Sequence, residues 1–504
     1  VKTLTLFIVL CLGLTLLFPI RDETIVNASS VTWIVGDNGF DNIQEAINNA
    51  SPGDTIIVRE GIYYESIVVN KSIILVGEDR ENTIINGEGV ENVISIKASN
   101  VNITGFTIKN SSLLTGCGIL VERHGNIIIK NNKIIKHKTG IRIISSQGNQ
   151  IYKNIISSND FGIQLIYTIE SVIHRNIIAN NTNGIEIYYS MSNTFYENLI
   201  YNNNYGIYIF MYSVNNVFYH NNFIDNLYHV STEQTTNVWS YKDEGNYWSD
   251  YEGHDSDKDG LGDISYNIAE NNKDLYPLMG KFYSFPVLSG GETYQVFIIT
   301  NSTVTHFTFK NVAELRSRLI TFNTSSLDSS AAFSRVTIPK KLIESIHVVL
   351  VNEEEVPLDS LKITDEKNTT LYLAHPNICS IKIVYLELLD LYYKLHANYL
   401  EALSKIKGLN VSYFELLEEY LNLDDNRSML VTQVTILNGT LSTLWENYSK
   451  LQEEFNDMKS SYYDQIPNLK SLMYMLIVTT AIYIITLIYL SKKAHEKSIT
   501  ILQT

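Results

Sequence analysis

The dipeptide Gly-Ile occurs at 118–119, 140–141, 162–163, 184–185 and 206–207, an interval of 22 residues each time. A fixed short period means that one supersecondary unit is stacked repeatedly on itself. Superposing the units gives the apolar columns Ile119, Ile141, Ile163, Ile185, Ile207 and Val121, Ile143, Leu165, Ile187, Ile209, separated by one outward residue. That alternation is the period of a strand. A third column is Ile129, Ile151, Ile173, Phe195, Val217, and a fourth is Ile134, Ile156, Ile178, Ile200. Three short, β-branched strands per unit, with no helical period, predict a parallel β-helix whose coils rise by roughly 4.8 Å. A leucine-rich repeat would need Leu in these columns and a longer non-strand leg.

Asparagine is the other unusual feature, with 51 in 504 residues. Asn132, Asn154, Asn176 and Asn198 form a column of their own just before the fourth apolar column. An inward Asn at a turn can bond the backbone and the Asn one coil away, so this column reads as a structural ladder. Asn202–Asn204 and Asn221–Asn222 suit similar turns, because Asn tolerates left-handed conformations. Upstream, short β-rich runs at 54–58, 66–69, 72–76, 83–86, 101–103 and 106–108 continue less regular coils. Asp41–Ala50 reads as a helix with Ile43, Ala46, Ile47 and Ala50 on one face, placed to cap the open end of the solenoid.

The segment NIQEAINNASPGDTIIVREGIYYESIVVNKSIILVGEDRENTIING resembles the first coils of right-handed β-helix proteins of the carbohydrate-binding and sugar-hydrolase group. With the Gly-Ile repeats, GNYWSDYEGHDSDKDGLGDISYNI and DLYPLM, the chain over about 33–280 resembles the NosD-like periplasmic copper-binding family in its archaeal surface-protein form. The resemblance implies a right-handed parallel β-helix. Its copper chemistry does not carry over: the chain has no Cys-x-x-Cys, no Met cluster and no His pair at ligand spacing, and His124, His174, His220 and His254 are isolated. Copper is therefore not expected as a cofactor.

Charge and termini bound the setting. The net charge of −16 argues against nucleic acid as a partner, which needs a basic surface. Three widely spaced cysteines (Cys11, Cys117, Cys379) allow neither a disulfide scaffold nor a zinc ribbon. Residues 1–24 hold the apolar run Leu4–Phe18 and read as a signal sequence or N-terminal anchor. Leu472–Leu490 is uncharged and long enough to span a bilayer, so 471–490 is expected to be a transmembrane helix. Lys492, Lys493 and Lys497 then favour a cytoplasmic tail over 491–504, with the ectodomain outside.

Two surface features of the solenoid region, 33–240, could carry function. One outward row is Leu120, Arg142, Gln164, Glu186, Tyr208. Arg142 and Glu186 are its weak catalytic candidates, since glycoside hydrolysis needs paired acids and this row has one. The other is Lys130, Tyr152, His174, Tyr196, Phe218, whose aromatic members could receive sugar rings or could only stabilise coil stacking. Tyr167, Tyr188, Tyr189 and Phe210 add aromatic surface near a turn.

Residues 241–280 form an acidic loop and cap, with ten Asp/Glu against three Lys between 241 and 274. Asp255, Asp257, Asp259 and Asp263 fall at positions 1, 3, 5 and 9 of a calcium-type loop, Gly260 at 6 and the Leu261 carbonyl at 7. Position 12 is Tyr266 rather than Glu, so the arrangement resembles dockerin and thrombospondin type 3 loops. Ca²⁺ is the expected cofactor.

Alternating short runs over 291–384 predict a β-sandwich, which resembles a β-domain of archaeal surface proteins. Residues 385–468 turn helical. Val434, Leu437, Leu441, Leu444, Tyr448, Leu451, Phe455, Met458 and Tyr462 make a heptad seam, and Leu389, Tyr392, His396, Tyr399, Leu403 and Ile406 an earlier one. Breaks are expected at Gly408 and at 424–426. The resulting coiled-coil-like stalk would pair internally or assemble into a homo-oligomer. After residue 300, 7 of 14 Asn lie in Asn-x-Ser/Thr (Asn301, Asn323, Asn368, Asn410, Asn426, Asn438, Asn447), more than composition predicts, so glycosylation is expected there. The expected whole is a mainly β, membrane-anchored cell-surface protein that binds carbohydrate, a surface glycoprotein or other envelope partners without catalysis, or serves as an envelope component. Its alternatives are a polysaccharide lyase or hydrolase and a copper-site maturation factor.

Overall fold

The computed structural model describes residues 30–465 apart from 234, 314–315, 327–331, 359–361 and 423–426. The terminal segment 1–24, the expected span 471–490 and the tail 491–504 lie outside the described residues. No helix among those described is long and apolar enough to cross a membrane. The chain divides into two compact units, one ending at Phe282 and the other running on from Tyr283, with the loop tip Asp257–Gly260 grouped with the second.

The first unit is a solenoid of three parallel sheets with nine, eight and nine strands. Each coil contributes one strand to each sheet. In the second sheet Ile119 lies beside Ile141, Ile141 beside Ile163, Ile163 beside Ile185 and Ile185 beside Ile207. These residues and the columns of Val121 and Ile134 are fully buried. The Gly of each Gly-Ile pair has a steric cause. A Cβ on Gly118, Gly140, Gly162 or Gly184 would sit 2.5–2.7 Å from the carbonyl oxygen of the glycine one coil on. The capping helix α1 (Ile43–Asn49) begins at Asn42, whose side chain accepts from the Glu45 N–H, and buries Ile43, Ala46 and Ile47.

Within the Gly-Ile repeats the period lengthens after Phe210, which corrects the third column. Ile166, Tyr188 and Phe210 align at 22 residues, but Ser190 and Ser213 are 23 apart, the extra residue lying at Met211–Tyr212, both left-handed. From there Phe195 pairs with Phe218, not Val217, and Phe218 is fully buried in the core. The core also turns aromatic here, with Phe195, Phe218 and Trp239 stacked at 4.7 and 4.3 Å and Phe223, Trp248 and Tyr266 at 4.3 Å each.

The corners are held by side-chain amides. Asn132, Asn154, Asn176, Asn198, Asn221 and Asn246 form one buried ladder. Each Nδ2 donates to the Oδ1 of the next at 2.9–3.2 Å. That Oδ1 also accepts the backbone N–H of the previous Asn at 2.9–3.1 Å. The second amide proton goes to a strand carbonyl, as from Asn176 to Ile151 at 2.8 Å. The residue before each of the first five rungs (Asn131, Lys153, Arg175, Glu197, His220) is left-handed, with φ between 53° and 56°. That conformation costs non-glycine residues energy, which the ladder bonds offset. Asn159, Asn181, Asn203 and Asn226 build a second ladder, and Asn193, Asn216 and Asn237 a third.

The first ladder ends on a carboxylate. Asp274 is fully buried, and its Oδ2 accepts from Asn246 N, Asn246 Nδ2 and the Trp248 indole at 2.7, 3.3 and 2.9 Å. Burial pushes its pKa up to about 6 against these hydrogen bonds.

The second unit holds two antiparallel five-stranded sheets. They share one core, to which Val296, Ile298, Val336 and Leu371 come from one sheet and Ile320, Phe322, Val349 and Ile383 from the other. The sandwich starts earlier than the expected 291. Lys281–Ser289 and Glu292–Thr300 are neighbouring strands joined through Gly290-Gly291, both with positive φ, a two-residue hairpin turn. Helices α2 (Glu387–Asn422) and α3 (Arg427–Gln465) follow. Gly408 does not break α2; the other expected break, at 424–426, lies outside the described residues. The helices pair with each other in antiparallel fashion, Tyr392 meeting Phe455 and Tyr399 meeting Tyr448, around Leu403, Ile406 and Tyr448.

Replacing Asn176 by Ala removes an acceptor for two buried donors of Asn154 and a donor to Asn198 and Ile151. Urea denaturation should show a loss of about 3 kcal/mol or more, against less than about 0.5 kcal/mol for the exposed, left-handed Asn202→Gly. Because the Asp274 pKa is raised on folding, the stability it allows is present below its unfolded value and lost as pH rises through about 6. The stability of the unsubstituted chain minus that of Asp274→Asn should therefore fall by roughly 3 kcal/mol between pH 3 and pH 7; a pH-independent difference would contradict the burial argument.

Candidate functional site

The second sheet presents its outward row as three linked polar residues. Arg142 Nε donates to Gln164 Oε1 at 2.6 Å, and Gln164 Nε2 donates to Glu186 Oε2 at 3.1 Å. A terminal guanidinium nitrogen of Arg142 also donates to Thr139 Oγ1 at 2.8 Å. The register Arg142–Gln164–Glu186–Tyr208 places one member on each successive coil. Burial raises the pKa of Glu186, opposed by its hydrogen bond to Gln164 and by the Arg142 charge. The two catalytic candidates thus meet through an amide rather than facing a common open space, and the row supplies one carboxylate.

Beyond Glu186 this face becomes aromatic. Tyr205 lies 5.5 Å from Tyr208 at 49°, Tyr208 lies 4.9 Å from Phe210 at 35°, and Phe210 lies 4.9 Å from Tyr188 at 46°. Tyr228 stacks on Tyr205 at 5.0 Å and is 52% exposed. Tilted rings leave much of their faces uncovered by one another. The pairing of Tyr228 with Tyr205 is hidden in the sequence, because Tyr228 follows the inserted residue and so lies off the 22-residue register.

The first sheet carries a different aromatic row. Tyr152, His174 and Tyr196 are consecutive rungs, but Phe218 is not the next. The insertion turns Phe218 inward and puts Tyr219 beside Tyr196, and Tyr241 follows. Successive rings from Tyr152 to Tyr219 lie 4.6–5.2 Å apart and within 13° of parallel. Their faces cover each other along the solenoid axis, and Lys130 and Lys242 lie over the end rings Tyr152 and Tyr241. A sugar stacks on an exposed ring face, so this geometry suits coil stacking. Desolvation lowers the His174 pKa to about 4, which keeps the imidazole neutral between its tyrosines.

In the acidic loop, Asp255, Asp257 and Asp259 each offer a carboxylate oxygen within 4.8 Å of the others. Gly260 has the positive φ expected at position 6, +84°. Asp263 does something else. Its Oδ2 accepts from Ser256 N at 3.0 Å and its own N–H donates to the His254 carbonyl at 2.9 Å, which pins the loop base. Those bonds from Ser256 lower its pKa. Leu261 forms a bridge with Leu278. Among the described residues this is the one group of three or more His, Cys, Asp or Glu side chains with converging ligand atoms. An all-oxygen set fits a hard cation and not copper, which favours imidazole and sulfur.

Of the sequons, Asn323, Asn438 and Asn447 are exposed, Asn301, Asn368 and Asn410 are partly buried, and Asn426 lies outside the described residues. Asn301 Oδ1 accepts from Phe333 N at 3.1 Å.

Three parallel sheets closed by amide-laddered corners define a parallel β-helix protein. Residues 47–253 are a NosD-like parallel β-helix: that span matches the family described as periplasmic copper-binding protein (NosD). A cell surface glycoprotein of Methanothermus fervidus is 38% identical over 122 residues, 24% of this chain and 20% of that one. A probable ABC transporter binding protein NosD of Stutzerimonas stutzeri is 46% identical over 52 residues, 10% of this chain and 12% of that one. The chain thus spans a fifth or less of the length of either relative. Among solved structures, an alginate lyase from Paenibacillus is 14% identical with a TM-score of 0.31, covering 43% of this chain and 97% of its own.

Proposed function

We propose that the protein is a cell-surface β-helix that binds carbohydrate of the envelope or its surroundings without cleaving it, anchored by a single span at 471–490. The observation that carries this reading is the tilted aromatic face of Tyr188, Tyr205, Tyr208, Phe210 and Tyr228 beside the Arg142–Gln164–Glu186 row. Hydrophobic ring faces next to hydrogen-bonding groups are what a sugar, with apolar C–H faces and polar edges, requires. The likeness to a cell surface glycoprotein and the sequons of the second unit support the surface setting. The helix pair, whose seam is filled internally, serves as a spacer in this reading rather than as an oligomerisation strand.

Incubating the purified chain with a polysaccharide panel tests it. Retention on at least one immobilised polysaccharide is expected, weakened at least tenfold by Tyr208→Ala, with no new reducing or unsaturated ends. Product that disappears in Glu186→Gln would instead establish an enzyme.

The loop carboxylates Asp255, Asp257 and Asp259 are proposed to hold Ca²⁺, because their converging oxygens, at alternate loop positions closed by Gly260, suit a hard cation. Calorimetry should show Ca²⁺ binding that Asp257→Asn weakens at least tenfold; no heat with the unsubstituted chain would exclude the site.

A further inference from the structure

One corner of the solenoid repeats a conformation without repeating its side chain. Arg123, Ser145, Tyr167 and Tyr189 each follow the second-sheet strand of their coil, and each is left-handed, with φ of 60°, 52°, 51° and 45°. The first three backbone N–H groups bond the next coil in the same way, from Arg123 to Ile144, Ser145 to Ile166 and Tyr167 to Tyr188 at 2.9–3.0 Å, and that of Tyr189 reaches Met211 at 3.2 Å. The same backbone state at every coil sends the side chains out as one column. At its C-terminal end the column is a stack, with Tyr167 on Tyr189 at 5.1 Å and 7° and Tyr189 on Tyr212 at 5.9 Å and 22°.

The stack stops at Tyr167. The next position toward the N-terminus is Ser145, too small to be a rung, and the one beyond is Arg123. Two coil steps, roughly 9.6 Å, thus separate Tyr167 from Arg123 with little between them. The structure has a cavity of about 520 Å³ there, lined by Arg123, His124, Asn126, Ser145, Gln147 and Tyr167 among others. Tyr167 is 52% exposed. One ring face is therefore covered by Tyr189 and the other borders this space. The remaining lining offers amide, hydroxyl, imidazole and guanidinium groups and no carboxylate.

We infer that this slot binds one pyranose ring, stacked on Tyr167 in the place of the missing rung, with its hydroxyl edge toward Arg123, Asn126 and Gln147. A ring at van der Waals distance from Tyr167, roughly 3.5–4.0 Å, falls near the level of Ser145, where the stack would otherwise continue. The slot lies at a corner that adjoins the aromatic face, Tyr167 meeting Tyr188 edge-on at 6.0 Å, and it deepens the carbohydrate reading, on which it rests, by naming a subsite and the kind of ring it takes.

The test is saturation-transfer NMR on the full chain with methyl glycosides of glucose, galactose, mannose and N-acetylglucosamine, run beside the polysaccharide panel. At least one glycoside should receive saturation on the protons of one ring face, with at least a tenfold loss of affinity in Tyr167→Ala. The decisive variant is Ser145→Tyr. It supplies the missing rung in a backbone state that Tyr167 and Tyr189 already adopt, so the melting temperature should hold or rise while glycoside binding disappears. A folded Ser145→Tyr chain that binds as before overturns the slot. So does a chain that retains polysaccharide through Tyr208 but takes no glycoside, and that result leaves the wider carbohydrate reading intact. If neither glycoside nor polysaccharide binds, both readings fall.

Discussion

The interaction on which this solenoid depends is the amide-to-amide hydrogen bond at its corners. A strand can stack on its counterpart through backbone bonds alone, but a corner turns the chain and leaves N–H and C=O groups facing the core without partners. Asn satisfies them because a single short side chain carries two donors and a two-fold acceptor at a fixed distance from its own backbone. Asn176 illustrates the economy: its amide reaches Ile151 and Asn198, and its oxygen receives both nitrogens of Asn154. A shorter Ser can accept in the same way, as Ser171 Oγ does from both nitrogens of Asn149 in the third corner, but its single hydroxyl proton goes to the Ile169 carbonyl and leaves none for the next rung.

Stacking at one spacing also governs the surface. Any outward position becomes a row along the axis, so a change of one residue every 22 decides whether a row is a chain of charges and amides, a closed pile of rings or an open aromatic face. The rows of Arg142, Tyr152 and Arg123 share one scaffold and differ only in what fills successive positions. Parallel rings 4.6–5.2 Å apart spend their faces on each other, whereas tilted or interrupted rings keep them for another molecule. Ligand chemistry on such a scaffold is thus concentrated where a row loses its regularity.

Much of the architecture was legible because the repeat writes each core position several times over. The inward Ile columns, the Asn132–Asn198 ladder and the capping helix read directly, since each follows from one spacing. Phe218 did not, because a single inserted residue at Met211–Tyr212 shifts the strands of the next coil by one, and in a strand a shift of one exchanges inside for outside. The ladders through Asn159 and Asn193 were hidden among the many other asparagines, which differ from them only in burial. The strand at Lys281–Ser289 was signalled by Gly290-Gly291, a pair that suits a tight hairpin. The corner cavity could not be read from any one residue, because it arises from a serine between an arginine and a tyrosine on three different coils.

Every amide in the first ladder points the same way, with one N–H toward the next C-terminal rung, until Asp274 receives the last. The solenoid therefore has a direction, and its two ends are chemically different. Whole coils could be duplicated between Asn154 and Asn198 without altering any bond except by repetition, so the fold can grow or shrink in its middle over evolutionary time. It cannot be extended past Asp274, because an anion that accepts from one side offers nothing to donate to the next rung. Length is a free variable of this architecture, while the acidic terminus is the punctuation that any longer or shorter version would have to keep.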